Sequence, residues 1–184
     1  MNVFITLDYE LFFGDKTGTA QGCLINPTCR LLDVLDAFGV KATFFVDAGY
    51  LLRLDDLQAA SPVLVRDRAE VLGQLRHLLE CGHDLQLHVH PHWEDAEFDG
   101  GRWIVDTRRY RLHDFSESEI ENIVGSYKAS LSEIAGDRVF AFRAGGWCIQ
   151  PFLKIRKALQ SHGIWLDSTD RKSTRLNSSH LVIS

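Results

Sequence analysis

Five short apolar runs recur along the chain, at residues 3–7, 40–46, 84–88, 139–142 and 164–166, and every gap between them holds a segment of helical periodicity. The segment 27–38 sets Leu31, Leu32, Val34, Leu35 and Phe38 at helical spacing, with Gly39 at the C-cap position. The segment 62–81 does the same with Leu64, Val65, Val71, Leu72, Leu75, Leu78 and Leu79, followed by Gly82. Ser116-Glu117-Ser118-Glu119 opens a third helix to about 134, and 151–162 forms a fourth. Strands alternating with helices predict βαβ units and an α/β fold with a mainly parallel sheet. The stretch 94–113 is polar and aromatic and contains Gly100-Gly101, which predicts a long loop or small hairpin.

In sheets of this kind function gathers at the carboxyl ends of the strands. Three of the runs end on chemistry-bearing residues. Asp8 and Glu10 follow the first run and lie two apart, so on a strand both point to one side. Two like charges held together need a cation or a proton between them. His88, His90 and His92 form H-x-H-P-H at the end of the third run, beside Trp93. Strand geometry puts His88 and His90 on one face. Pro91 ends the strand, so His92 is free to turn back in the loop. The pair that accompanies a carboxylate is therefore His88 with His92 or His88 with His90. Carboxylate and imidazole donors on rigid backbone are what a divalent metal needs. Arg143 closes the fourth run and needs a carboxylate partner, for which Asp8 is the candidate. After it, Gly145 and Gly146 let backbone N–H groups approach a ligand, and Trp147 is placed to wall a sugar. Asp167-Ser168 follow the fifth run, placed to cap a helix or to reach the same edge.

Composition excludes several alternatives. At 184 residues the chain is long enough for one domain with its own core, and 45% hydrophobic with 24% charged residues is ordinary for a globular protein. A net charge of −5 without a basic stripe argues against nucleic acid. No run is long enough to span a membrane, and no signal peptide precedes the first strand, so a cytoplasmic protein is expected. Cys23, Cys29, Cys81 and Cys148 form no CxxC pair and are expected to be reduced.

The motifs together resemble the polysaccharide deacetylase (NodB-homology) superfamily of carbohydrate esterases, over residues 3–169. Asp8-Tyr9-Glu10 is similar to the family's first motif, a catalytic-base aspartate followed by a metal-binding acid, in the variant with one residue between them. The family's metal histidines are spaced i, i+4, as His88 and His92 are, with His90 as an extra candidate. Residues 39–46 look like the second core strand. Arg143 and Trp147 match the third motif, in which Gly145 stands where the family usually has proline. Residues 163–168 are similar to the strand that follows. The family's last motif, with a general-acid histidine, has no counterpart before Thr169. The resemblance implies an incomplete, distorted (β/α) barrel for residues 1–169. It also implies a divalent metal, zinc by default, held by Glu10, His88 and His92 (or His90). Asp8 is then the base, and Arg143 orients it. Trp93, Gly146 and Trp147 are expected at the substrate. Residues 170–180 resemble the translated sequence of a sequencing-library adapter, and 170–184 are expected to be an unstructured, non-native tail.

The expected activity is metal-dependent hydrolysis of a C–N bond, most simply N-deacetylation of an amino sugar in a glycan or small molecule. The rivals are a non-catalytic metal- or carbohydrate-binding protein on the same fold, and a metal-dependent phosphoesterase. The phosphoesterase ranks last because H-x-H would then be expected on the first strand.

Overall fold

The computed structural model of the chain describes residues 3–14, 16–169 and 181–182. Its centre is a parallel sheet built from β1 (Thr6–Tyr9), β2 (Thr43–Asp47), β3 (Asp84–Val89), β6 (Ala141–Ala144) and β7 (Leu166–Asp167), adjacent in that order. The pairings β1–β2, β2–β3, β3–β6 and β6–β7 are all parallel. Between them run α1 (Asn26–Ala37), α2 (Ala48–Leu57), α3 (Pro62–Glu80), α4 (Glu117–Ala135) and α5 (Phe152–Ser161). The α/β, mainly parallel architecture is thus present, as a sheet that stays open among the described residues. β8 (Leu181–Val182) adds antiparallel to β7 at the outer edge. The rest of the tail expected to be unstructured lies outside the described residues.

Period-two alternation assigns the two faces of the sheet. Phe44, Val46, Leu85, Leu87, Val89, Phe142 and Ala144 join the buried core beneath the helices. Thr6, Asp8, Phe45, Gln86, His88 and Arg143 occupy the alternate positions and face the other way. Helix ends follow local chemistry. Ser61 accepts the Val63 N–H at the start of α3, with Pro62 at the first position. Ser116 and Glu119 form a capping box at the start of α4. β4 (Glu97–Asp99) and β5 (Arg102–Ile104) form the small hairpin that 94–113 predicts. Its turn needs two residues of positive φ, and Gly100 at 57° with Gly101 at 82° supply them.

β2 runs Thr43–Asp47 rather than 40–46 and β7 is Leu166–Asp167 rather than 164–166, and three further departures from the sequence reading have a physical cause. β1 starts at Thr6, because pairing with β2 begins only there, and Val3 and Phe4 are exposed. Helix α2 had no counterpart in the apolar pattern. It leaves β2 with no intervening loop, and Asp47 at its N-cap makes no capping hydrogen bond. Gly49 lets α2 lie against α4: a Cβ there would come within 2.8 Å of Tyr127 and Trp93. β6 starts at Ala141 rather than 139, because the Gln86 side chain takes the preceding backbone donors. Gln86 Oε1 accepts from Phe140 N–H (3.0 Å) and Ala141 N–H (2.7 Å), and its Nε2 donates to the Arg138 carbonyl (3.0 Å).

Gln86 is 1% exposed, so its amide ties β3 to the strand that carries Arg143 without help from water. Gln86→Leu is expected to leave those N–H groups unsatisfied and to lower stability by about 3 kcal/mol. Urea denaturation should show this as a lower midpoint with an unchanged slope.

Candidate metal centre and active site

β1 ends at Tyr9, and Glu10 follows it at the carboxyl edge; β3 carries His88, and His90 lies one residue past its end. Their side chains meet. Glu10 Oε2 lies 2.9 Å from His88 Nε2 and 2.5 Å from His90 Nε2. Donor atoms of these three residues all fall within 4.8 Å of one another. His88 Nδ1 donates to the Arg143 carbonyl at 2.9 Å, which turns Nε2 towards Glu10. A backbone acceptor on the far nitrogen is the usual way a ligating imidazole is oriented. Burial pushes the Glu10 carboxyl up, but hydrogen bonds from His88 and His90, and their charges, outweigh it. The carboxyl is held well below the usual carboxylate range. Burial pushes His90 down, but the Glu10 hydrogen bond and the charges of Asp47 and Glu10 win, and its pKa is raised.

His92 lies outside this donor group. It is buried in the turn Pro91–Asp95, with its ring centre 5.1 Å from His90 and 5.2 Å from Phe13. Its Nδ1 has no hydrogen-bond partner. Burial, with the charge of His90, pushes its pKa down to about 3, so the ring is neutral at ordinary pH. Of the two pairs that the sequence left open, the structure gathers His88 and His90 around Glu10.

Asp8 and Arg143 meet as the sequence predicts. Arg143 Nη1 is 2.5 Å from Asp8 Oδ1, and Nη2 donates to Thr6 Oγ1 (2.9 Å) and Ser168 Oγ (3.0 Å). Nε donates to the Ser168 carbonyl at 3.2 Å, and the guanidinium lies 3.9 Å from the Phe45 ring centre. Ser168 therefore reaches the site, while Asp167 turns to Thr169. Asp8 and Glu10 share a cavity of about 200 Å³ with Phe13, Tyr110, Gly146 and Trp147. Trp147 is half exposed and held at φ 56°, a left-handed conformation that costs a non-glycine residue about 1–2 kcal/mol. Trp93, expected at the substrate, instead sits in the core at 2% exposure against Tyr50 and Trp103.

Sequence reasoning missed three residues. Phe13 and Tyr110 wall the cavity; the Phe12-Phe13 pair just past Glu10 was the signal for the first. Asp47 ends β2 directly opposite His88. Its Oδ2 accepts the Trp93 indole N–H at 2.5 Å, its Oδ1 has no partner, and burial pushes its carboxyl up to about 6. A charge closing the run Phe44-Phe45-Val46 was its signal. A larger cleft of about 610 Å³ lies between Arg53, Glu97, Asp106 and Arg109. It is lined by no imidazole donor, and Arg109 is already paired with Asp95 and Glu119.

No family model matches the sequence, and no curated relative does. Solved structures match over most of the chain. One is a protein from Mycobacterium smegmatis assigned as a polysaccharide deacetylase, with 23% identity over 90% of this chain and 50% of that one, at a TM-score of 0.54. Another is a CE4 family pseudoenzyme from Bacillus anthracis, with 14% identity over 88% of this chain and 41% of that one, at 0.52. A third is a peptidoglycan N-acetylglucosamine deacetylase, with 16% identity over 88% and 54%, at 0.51. The likeness to these three is one of fold. The chain spans about half the length of the solved chains it resembles. Among the described residues, no helix is long and apolar enough to cross a membrane.

Arg143→Ala removes four hydrogen bonds that join β6 to β1 and to the segment after β7. The expected cost is about 2–3 kcal/mol, because the guanidinium is largely enclosed while Asp8 keeps some solvent. Arg143→Lys should recover little, since an ammonium lacks the forked donors. Thermal melts of the three proteins check both expectations.

Proposed function

We propose that this chain carries a metal-dependent hydrolase site for C–N bonds, acting by N-deacetylation on an amino sugar or related amide within a glycan or small molecule. The observation that carries the reading is the convergence of Glu10, His88 and His90 donors beside the Asp8–Arg143 pair at one sheet edge. The donor set fits a divalent cation. One carboxylate and two imidazoles match catalytic zinc, which keeps an open position, and one imidazole is already oriented through its far nitrogen. The neighbouring fold supports the same class, since one such neighbour is a peptidoglycan deacetylase.

Held by Glu10, His88 and His90, a divalent cation would supply Lewis acidity to the acyl oxygen and to an attacking water. Asp8 is placed to take a proton from a water attacking the acyl carbon. Arg143 keeps the Asp8 carboxylate aimed through the Nη1–Oδ1 contact. Gly146 and Trp147 line the cavity, where Trp147 with Tyr110 and Phe13 offers flat apolar surface to a sugar ring. The Gly146 region also supplies backbone N–H groups for the charge that develops on the acyl oxygen. His92 stays neutral and packs behind His90. A second reading, a non-catalytic sugar- or metal-binding protein, is favoured by one observation: a neighbour of this fold is a pseudoenzyme.

Asp8→Asn is expected to bind Zn²⁺ within about twofold of wild type while losing on the order of 10²-fold or more in deacetylation of an N-acetylated oligosaccharide. Glu10→Gln should lose metal affinity as well. Tight metal binding with no turnover in any variant, wild type included, would select the non-catalytic reading.

Metal and protons compete for the same imidazoles, so affinity must fall as pH falls. His90 is raised above the ordinary 6.5, so Zn²⁺ affinity should go on rising above that pH. Binding should release protons. Calorimetry in buffers of different ionisation enthalpy measures that release, and a pH-independent affinity would contradict the donor set.

A further inference from the structure

We propose that Gly145 is the residue that selects His90 as the second imidazole donor. This rests on the metal reading above. A Cβ built at Gly145 would lie within 2.7 Å of Nδ1, Cε1 and Cγ of His90. The His90 ring occupies the space that a side chain at 145 would take. Backbone conformation does not require glycine here, because Gly145 is absent from the glycines of positive φ. The requirement is for room.

Three rings crowd His90. Its ring lies edge-on to His88 (4.7 Å between centres) and to His92 (5.1 Å), with Phe13 on a further side (6.2 Å). Held there, its Nε2 faces Glu10 while its Nδ1 edge lies against Gly145. Gly145 itself is buried, at the start of the turn that follows β6, so the turn has little freedom to retreat. His92 is the neighbouring imidazole, buried, with an unpartnered Nδ1, and it lies i+4 from His88. The identity of residue 145 and the choice between His90 and His92 are therefore one structural decision. A side chain at 145 closes the His90 seat and leaves His92 as the remaining candidate. Gly145 touches neither metal nor substrate in this scheme; it is a positioning residue that acts through His90.

Four forms of the full chain test this: wild type, Gly145→Ala, His90→Ala and the double variant. Zn²⁺ affinity is read by competition with a chromophoric chelator, the ligand field by the visible spectrum of the Co²⁺ form, and folding by melts without metal. Gly145→Ala should weaken Zn²⁺ by about 10–100-fold, the size of effect seen when a ligand's supporting contact is removed, and His90→Ala, which removes the ligand itself, by at least as much. Both should alter the Co²⁺ spectrum. The double variant should bind no more weakly than His90→Ala alone, because the clash has lost its target. Unchanged affinity in Gly145→Ala, or losses that simply add in the double variant, overturns the proposal. Should Gly145→Ala fail to fold, recovery of folding in the double variant supports it, and failure to recover overturns it. Wild-type protein that binds no Zn²⁺ defeats the metal reading itself, whereas wild-type binding that Gly145→Ala leaves intact defeats only the selection by Gly145.

Discussion

One side chain spans and holds the curvature on which the rest depends. Arg143 stands on β6 and bonds to Asp8 and Thr6 on β1, with β2 and β3 lying between. In a flat sheet those strands would stand about 14 Å apart, at roughly 4.8 Å per step. No arginine spans that distance and still makes two contacts at hydrogen-bond length. The sheet must therefore curl until its first and fourth strands face each other across the concave side. Phe45 on β2 fills the space under the guanidinium and gives the cation an aromatic face. The same curl carries Glu10 over β3, where His88 and His90 wait. The ion pair and the metal-competent cluster are two results of one bend.

Much of this was legible in the sequence because the signals were local. Alternation of apolar runs with helical segments is enough for a parallel sheet, and parallel order alone places strand ends on one edge. Asp8, Glu10, His88 and Arg143 were readable as strand-end residues for that reason. What failed was decided by packing between segments. α2 was invisible because the chain passes from strand to helix without a loop, and its closest contact is made at Gly49, a residue that carries no pattern. Trp93 read as a substrate wall but is core, since an indole with an accepting carboxylate at Asp47 is comfortable when buried. The histidine pair could not be chosen from spacing. i+2 and i+4 both return to the same edge, and in the structure it is His90 that meets Glu10.

The site's electrostatics follow from how its charges are grouped. Asp8 is answered by Arg143, so that pair adds no net charge to the cavity. Glu10 is answered only by imidazoles, which carry charge only while protonated. Burial works against every charge in the group: it pushes Glu10 and Asp47 up and His90 and His92 down. Glu10 and His90 overcome it together because they touch. His92 does not overcome it, having His90 as a like-charged neighbour and no carboxylate in contact. Glu10 is therefore tied to both imidazoles through hydrogen bonds to one carboxylate oxygen.

That grouping also explains why Asp8 and Glu10, two residues apart at the end of β1, meet different partners. Both point to the concave side, and both would be costly there unpaired. Asp8 lies within β1, level with Phe45 of β2, deep enough to meet an arginine whose charge is permanent. A carboxylate so held is fixed in orientation. Glu10 lies past the end of the strand and has a longer side chain, so it reaches over the edge to partners that can give up their protons. The permanent partner fixes Asp8, while the imidazole partners of Glu10 are the groups that the proposed metal site would use. The curl of the sheet decides which carboxylate receives which partner.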